Sequence, residues 1–334
     1  MWLIIDPVPG PGLQNTSLYS SLRLLRFMYN SDKYPRGICI AITALIDPQT
    51  EHTIMQTTRH LKSSLLIVLL SIFAVPYPGD AIAVEAAITE SIGSYTAGCM
   101  RNAAQIPISG EGFQVIRLNR GRYYANPEMI EYITSLAKNV SEVLGGILLI
   151  GDVAQRTGGP MYDEHSSHQI GLDADILYWQ HPIALKRQLT ITERMYIFPQ
   201  SVLNEDETEI DDFKWSIKIE EIIKTAASDK RVDRIFVNPI IKRRLCQTHP
   251  GEKWLGKVRP WYGHDGHFHV RLKCPPEDAK CKTQEPLNMF DDGCGSDLDG
   301  WFRADGRVKS QPVSGKATHP KLPDECISIL NGVY

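Results

Sequence analysis

Two short stretches hold five of the chain's ten histidines. The first, "DEHSSHQIGLDADI", sets His165 and His168 ahead of Asp173 and Asp175. The second, "PWYGHDGHFHVRL", carries His264, His267 and His269. An i, i+2 pair on a strand puts both rings on one face, so His267 and His269 project together if that stretch is extended. Such a face can bind a metal, relay protons or simply meet solvent. Imidazole nitrogens and a carboxylate oxygen are zinc donors, and a catalytic zinc keeps three protein ligands plus an open position for water. His168, Asp175 and one of the two strand histidines would supply those three, leaving the other to move protons. Copper is the rival metal, but mixed histidine and carboxylate ligation without Met or Cys leans to zinc.

These side chains need a scaffold. "GLDADILYW" alternates, with Leu172, Ala174 and Ile176 on one side and Asp173 and Asp175 on the other, which reads as a strand. Asp173 then shares the ligand face and could orient a histidine from behind. Phe268, Val270 and Leu272 face away from His267 and His269 in the same way. The approach "RTGGPMYDEHSSHQIG" is a polar, glycine-rich loop of the kind that often carries function.

Asn126 and Pro127 open a helix that Gly145-Gly146 closes, with Ile130, Ile133, Ala137, Val140 and Leu144 at core spacing. "ILLI" and "RIFV" read as buried strands, "IKIEEIIKTAASDK" as an amphipathic helix, and "NPIIKRRLC" as a short helix opened at Asn238-Pro239. Asn204 to Asp212 is acidic and reads as an exposed loop. Strands and helices mix without βαβ alternation, which predicts an α+β fold with a mainly antiparallel central sheet flanked by helices and loops. Residues 84–334 show no strong linker and read as a single domain, ending in a tail that wraps the surface and is pinned by Cys326.

The net charge of −3 gives no basic field to draw the chain onto nucleic acid. Residues 55–83 carry a charged start (Arg59, His60, Lys62), an apolar run from Leu65 to Val75 and a small-x-small site ending at Ala83. That is the anatomy of a secretory signal peptide, and its apolar run is shorter than the roughly 20 residues of a membrane span. No stable span is therefore expected after cleavage. Residues 1–54 precede this signal and read as an upstream extension outside the working protein. Setting them aside removes Cys39 and leaves six cysteines, an even number suited to an oxidising compartment. Cys274 and Cys281 could close a small loop just after the histidine strand, and the other pairings stay open. Oligomeric state is not written in the sequence.

"SSHQIGLDADI" and "KVRPWYGHDGHFHVRLKCP", with "GGILLIGDVAQRTGG" and "RIFVNPIIKRRLC" in the same order, closely resemble the penicillin-insensitive murein endopeptidases. That family belongs to the wider group of lysostaphin, D-Ala-D-Ala metallopeptidase and hedgehog-type zinc peptidases, and the likeness spans nearly all of residues 95–330. The resemblance implies a disulfide-stapled zinc peptidase of the periplasm that cuts the D-alanyl–meso-diaminopimelate cross-bridge between peptidoglycan stem peptides. It implies His168, Asp175 and His269 as zinc ligands, His267 as catalytic base and His264 as a second active-site histidine. It also implies that His165 lines the site and binds a second metal in some members. The second metal's other ligands would fall at Asp206 and near Glu209, where a histidine is expected and glutamate stands. The implied disulfides are Cys99–Cys326, Cys246–Cys294 and Cys274–Cys281. His264 or His165 could assist the oxyanion, and Trp261 and Tyr262 could line the cleft.

Two rivals stay in view. One is a zinc D-Ala-D-Ala carboxypeptidase, which needs a cation for the free carboxylate, with Arg259 and Arg271 as candidates. The other is a non-catalytic, zinc-stabilised cell-wall binding module. A serine reading rests on "SLAK", Ser135 to Lys138, which matches S-x-x-K but lies in an amphipathic helix with no KTG or SDN partner.

Overall fold

The two alternating stretches become neighbouring strands in the computed structural model, which describes residues 88–161, 165–288, 290–311 and 320–332. All of these belong to one unit, Ala83–Tyr334. The readings of residues 1–54 and of the 55–83 signal, Cys39 included, lie outside the described residues, as do residues 312–319 of the tail.

Strands β1 (Glu90–Ser94) and β2 (Ala97–Arg101) form an antiparallel hairpin. β3 (Ala104–Gln105) pairs with β6 (Tyr124–Ala125). The main sheet contains β4 (Ser109–Gly110), β5 (Phe113–Val115), β7 (Leu148–Ile150), β8 (Asp173–Leu177), β9 (Val232–Val237), β10 (Val258–Pro260) and β11 (His267–Leu272). Its order is β10-β9-β11-β8-β7-β5-β4. The helices are α1 (Pro127–Leu144), α2 (Ile191–Met195), α3 (Ile217–Ser228), α4 (Pro239–Thr248), α5 (Ser296–Asp299) and α6 (Asp324–Leu330). The α+β reading holds, with a mixed sheet. β5/β7 and β9/β10 are parallel, because α1 and α4 carry the chain across between them, as a parallel pair requires. The other pairings are antiparallel.

Helix α1 starts as its sequence predicts. Asn126 accepts from the Glu128 N–H at 3.0 Å, Pro127 occupies the first turn, and Gly145 ends the helix at φ 56. Its buried stripe is Met129, Tyr132, Ile133, Leu136, Ala137 and Val140. Ile130 and Leu144, expected in the core, pack at its margin. Asn238 caps α4 by accepting from the Ile240 N–H at 2.9 Å.

Helices α1 and α3 bury their apolar faces against Ala174, Ile176, Phe268, Val270 and Leu272. Each large apolar side chain so buried contributes roughly 1.5–3 kcal/mol. The sheet face under these helices is therefore hydrocarbon, and polar residues at alternate positions of β8 and β11 must emerge on the opposite face.

The three disulfides are Cys99–Cys326, Cys246–Cys294 and Cys274–Cys281, as the family resemblance implied. The first ties α6 to β2, closing the longest loop and so restricting the unfolded chain most. No helix among the described residues is long and apolar enough to cross a membrane.

Candidate metal centre

β8 and β11 are antiparallel, with His269 opposite Asp175 and Arg271 opposite Asp173. This register gathers the polar alternates on the face away from α1 and α3. Asp175 Oδ1 is the point of convergence. It lies 3.3 Å from His168 Nε2, 3.3 Å from His269 Nδ1 and 3.5 Å from His267 Nε2. The other carboxylate oxygen lies 3.9 Å from His165 Nε2.

Two of these rings have their remaining nitrogen committed. His168 Nδ1 donates to the Val153 carbonyl at 2.8 Å. His269 Nε2 donates to Asp173 Oδ1 at 3.0 Å. Each neutral ring then presents a lone pair from its other nitrogen, and both lone pairs are directed at an anionic oxygen. His168 Nε2 and Asp175 Oδ1 are buried without any hydrogen-bond partner. Leaving such groups unpaired costs about 1–3 kcal/mol each, and a cation between them would remove that cost. Two imidazole nitrogens and a carboxylate are suitable donors for zinc. The residues therefore fit the metal that their spacing suggested.

His165, His168 and Asp175 offer ligand atoms that all lie within 4.8 Å of one another. The ligand set implied by the resemblance has His269 as the third member with His165 lining the site, and the structure brings both to the same carboxylate. His165 is also held at 2.9 Å by Asp152. Asp152 in turn receives Arg122 at 2.9 Å and Arg120 at 3.1 Å.

Asp173 is completely buried and braces the centre. It accepts from His269 Nε2, from the backbone N–H of His168 at 3.0 Å, and from Arg271 Nε at 2.7 Å. Burial alone would raise its pKa, but Arg271 and His269 hold it well below the usual carboxylate range. Asp175 is also held low: burial opposes ionisation, and His168 and His267 outweigh it.

His168 and His264 both adopt left-handed backbone, at φ 66 and φ 53. Non-glycine residues there cost roughly 1–3 kcal/mol, and both are braced. His168 is held through its N–H by Asp173. The His264 carbonyl accepts from the Asn238 N–H at 3.1 Å and the Tyr178 hydroxyl at 3.2 Å. The His264 ring lies 5.1 Å from His267 and 5.7 Å from His269. Burial pushes its pKa down to about 3, with His267 and His269 adding to the effect. Burial also lowers His267. On His269 burial opposes the charge, yet Asp173 raises the pKa overall. His264 Nδ1 donates to the Tyr262 carbonyl at 2.7 Å, so its Nε2 offers a lone pair. That makes it an acceptor, and unsuited in its neutral form to the oxyanion-donor role that the sequence reading allowed.

Trp261 is 45% exposed, which places it on the rim and not in the core. It contacts Phe236 and Trp301, and Tyr262 lies 4.9 Å from Trp301. Arg271 is buried on Asp173, and the Arg259 guanidinium packs against Gly293. Arg271 is thus committed to Asp173, whereas Arg259 sits opposite Phe236, which is itself opposite His269. Asp206 and Glu209 stand on an exposed loop and do not belong to the cluster.

The serine reading fails. Ser135 is exposed, donates to the Tyr132 carbonyl and receives Arg231. Lys138 pairs along the helix with Glu142. Ser135→Ala is expected to change stability by no more than about 0.5 kcal/mol and to leave turnover unchanged. Kinetic assay beside the parent protein checks this, and a large loss of turnover would restore the serine.

Asp152 was missed as a site residue, and Arg271 was named only as a candidate for a substrate carboxylate, not as the brace of Asp173. That bracing role had a signal, since Arg271 continues the period-two face of His267 and His269. Asp152 had only its position just beyond a buried strand.

Imidazoles and a carboxylate converging on the face of a mixed sheet away from α1 and α3, with a further histidine beside them, define a candidate hydrolytic metal centre. Residues 91–331 match the family described as penicillin-insensitive murein endopeptidase, and the chain belongs to that family. It is 42% identical over 243 residues to the penicillin-insensitive murein endopeptidase of Haemophilus influenzae, covering 72% of this chain and 82% of that protein. It is 38% identical over 257 residues to the protein of the same name from Escherichia coli strain K12, covering 77% and 88%.

Proposed function

We propose that the protein is a zinc-dependent murein endopeptidase that hydrolyses the D-alanyl–meso-diaminopimelate cross-bridge of peptidoglycan. It would work in the periplasm after removal of the 55–83 signal. The observation that carries this reading is the buried, unpaired His168 Nε2 facing the unpaired Asp175 Oδ1.

His168, Asp175 and His269 would hold the ion, with His165 at its margin. Zinc held there lowers the pKa of a water from 15.7 to about 7 and polarises a carbonyl. His267 shares the strand face of His269 and is more open to solvent. Its Nε2 is the acceptor for the proton of the attacking water and later the donor to the leaving amine. His264 contributes a lone pair beside His267, suited to receive the N–H of the scissile amide. Asp173 fixes the tautomer of His269 from behind. No serine takes part, so a drug that acylates serine has no target here.

Digestion of purified cross-linked muropeptide dimers tests the proposal. Chelation is expected to stop cleavage and zinc to restore it. Cleavage that persists after complete zinc removal would sink the metal mechanism. Release of D-Ala from monomers in place of dimer cleavage would replace the endopeptidase with a carboxypeptidase.

A further inference from the structure

Beside His264 lies a cavity of about 370 Å³. Gly263 and Asp265, its two chain neighbours, both line this cavity, as does Tyr262. The walls differ in sign. Asp206 and Asp265 stand among the lining residues contributed before β11, and Arg303, Arg307 and Lys309 come from the 301–309 segment.

That segment is a built hairpin. The Arg303 N–H donates to the Arg307 carbonyl and the Lys309 N–H to the Trp301 carbonyl, each at 2.8 Å, around the Phe302–Val308 bridge. Trp301 packs on Tyr262, and the Arg243 guanidinium sits 4.2 Å over the Phe302 ring. The hairpin is thereby docked at both faces. Arg303 pairs with Asp305 at 3.0 Å. Arg307 and Lys309 have no ion-pair partner among the described residues.

We infer that this cavity is a subsite for the amino-acid centre on the leaving side of the scissile bond, an inference that rests on the cross-bridge reading above. In that bridge the scissile nitrogen sits on a carbon that also bears a free carboxylate. Hydrolysis breaks the C–N bond and forms a C–O bond to the D-alanyl carbon. The amine leaves with a proton from water, so the product centre is an α-amino acid zwitterion. Arg307 and Lys309 receive the carboxylate through charge-assisted hydrogen bonds. Asp265 and Asp206 face the ammonium that appears on cleavage. Asp265 is two residues from His267 in the chain, and Gly263 and Asp265 flank His264, whose ring lies 5.1 Å from His267.

The test compares two cross-linked dimers that differ only in that carboxylate, free or amidated, and two matching product tripeptides. Wild type and the double variant Arg307→Gln, Lys309→Gln are used throughout. With the free carboxylate, the variant is expected to raise KM about 10-fold with kcat nearly unchanged, the signature of lost uniform binding. With the amidated dimer, variant and wild type should share one KM. Calorimetry should show wild type preferring the free-carboxylate tripeptide about 10-fold, and the variant showing no preference. A variant that raises KM equally on both dimers, or a wild type that binds both tripeptides alike, overturns the subsite. If wild type leaves every dimer intact, the murein reading fails, and the tripeptide binding still decides the subsite by itself.

Discussion

His267→Ala is expected to keep its metal and lose about 10²–10⁴-fold in turnover, the usual worth of a positioned general base. The ring stands 3.5 Å from Asp175 Oδ1 but lies nearer the strand's open end than His269, which is buried against Asp173. His269→Ala removes a donor from the interior of the cluster and should lose metal and turnover together. Metal content by mass spectrometry, measured beside kcat on cross-linked dimers, separates the two outcomes. Full activity in His267→Ala would remove it from proton transfer, and loss of its metal would make it a ligand.

Asp173→Asn is the second large effect. The carboxylate holds His269 Nε2, the His168 N–H and the Arg271 guanidinium at once. An amide of the same shape keeps one acceptor oxygen and leaves Arg271 buried without its anion. Breaking a buried ion pair in this way costs about 3–5 kcal/mol. The loosened His269 should weaken metal affinity about 10–100-fold. The pH dependence has a definite sign. The folded pKa of Asp173 lies below its ordinary value of 3.8, so its contribution is complete above that value and is lost as pH falls through the folded pKa. The stability gap between parent and variant should therefore be flat near neutrality and close only in strong acid. Denaturant titrations across pH, with and without zinc, would show it. Equal midpoints at neutral pH would reduce Asp173 to a passive neighbour.

The strands that carry the chemistry were legible because their alternation is strict. "LDADI" and "HFHV" each separate a hydrocarbon side from a polar side, and the structure keeps that separation. The helix from Asn126 was legible from its cap, its proline and its closing glycine pair. What alternation could not supply was the tertiary partner of each polar atom. The Val153 carbonyl that fixes His168 carries no side-chain signal at all. Asp152 reaches His165 only because β7 ends beside the loop. The parallel pairs at both flanks of the sheet depend on how α1 and α4 cross it, and no local pattern encodes that. The acceptor character of His264 needed the position of the Tyr262 carbonyl.

The pairing of His269 with Asp175 has a consequence for how the chain matures. Asp173 and His269, on the two strands, are 96 positions apart, so no short local fragment of the chain contains the site. Contacts this distant in sequence make for slow folding. A slip of one residue between β8 and β11 would turn the histidines into the helix-packed side and Phe268 outward. A divalent cation that binds only the correct register would stabilise that register alone, by an amount set by its concentration relative to Kd. Metal capture would then act as a check on topology: a chain with misaligned strands would gain nothing from the ion and stay open to proteolysis.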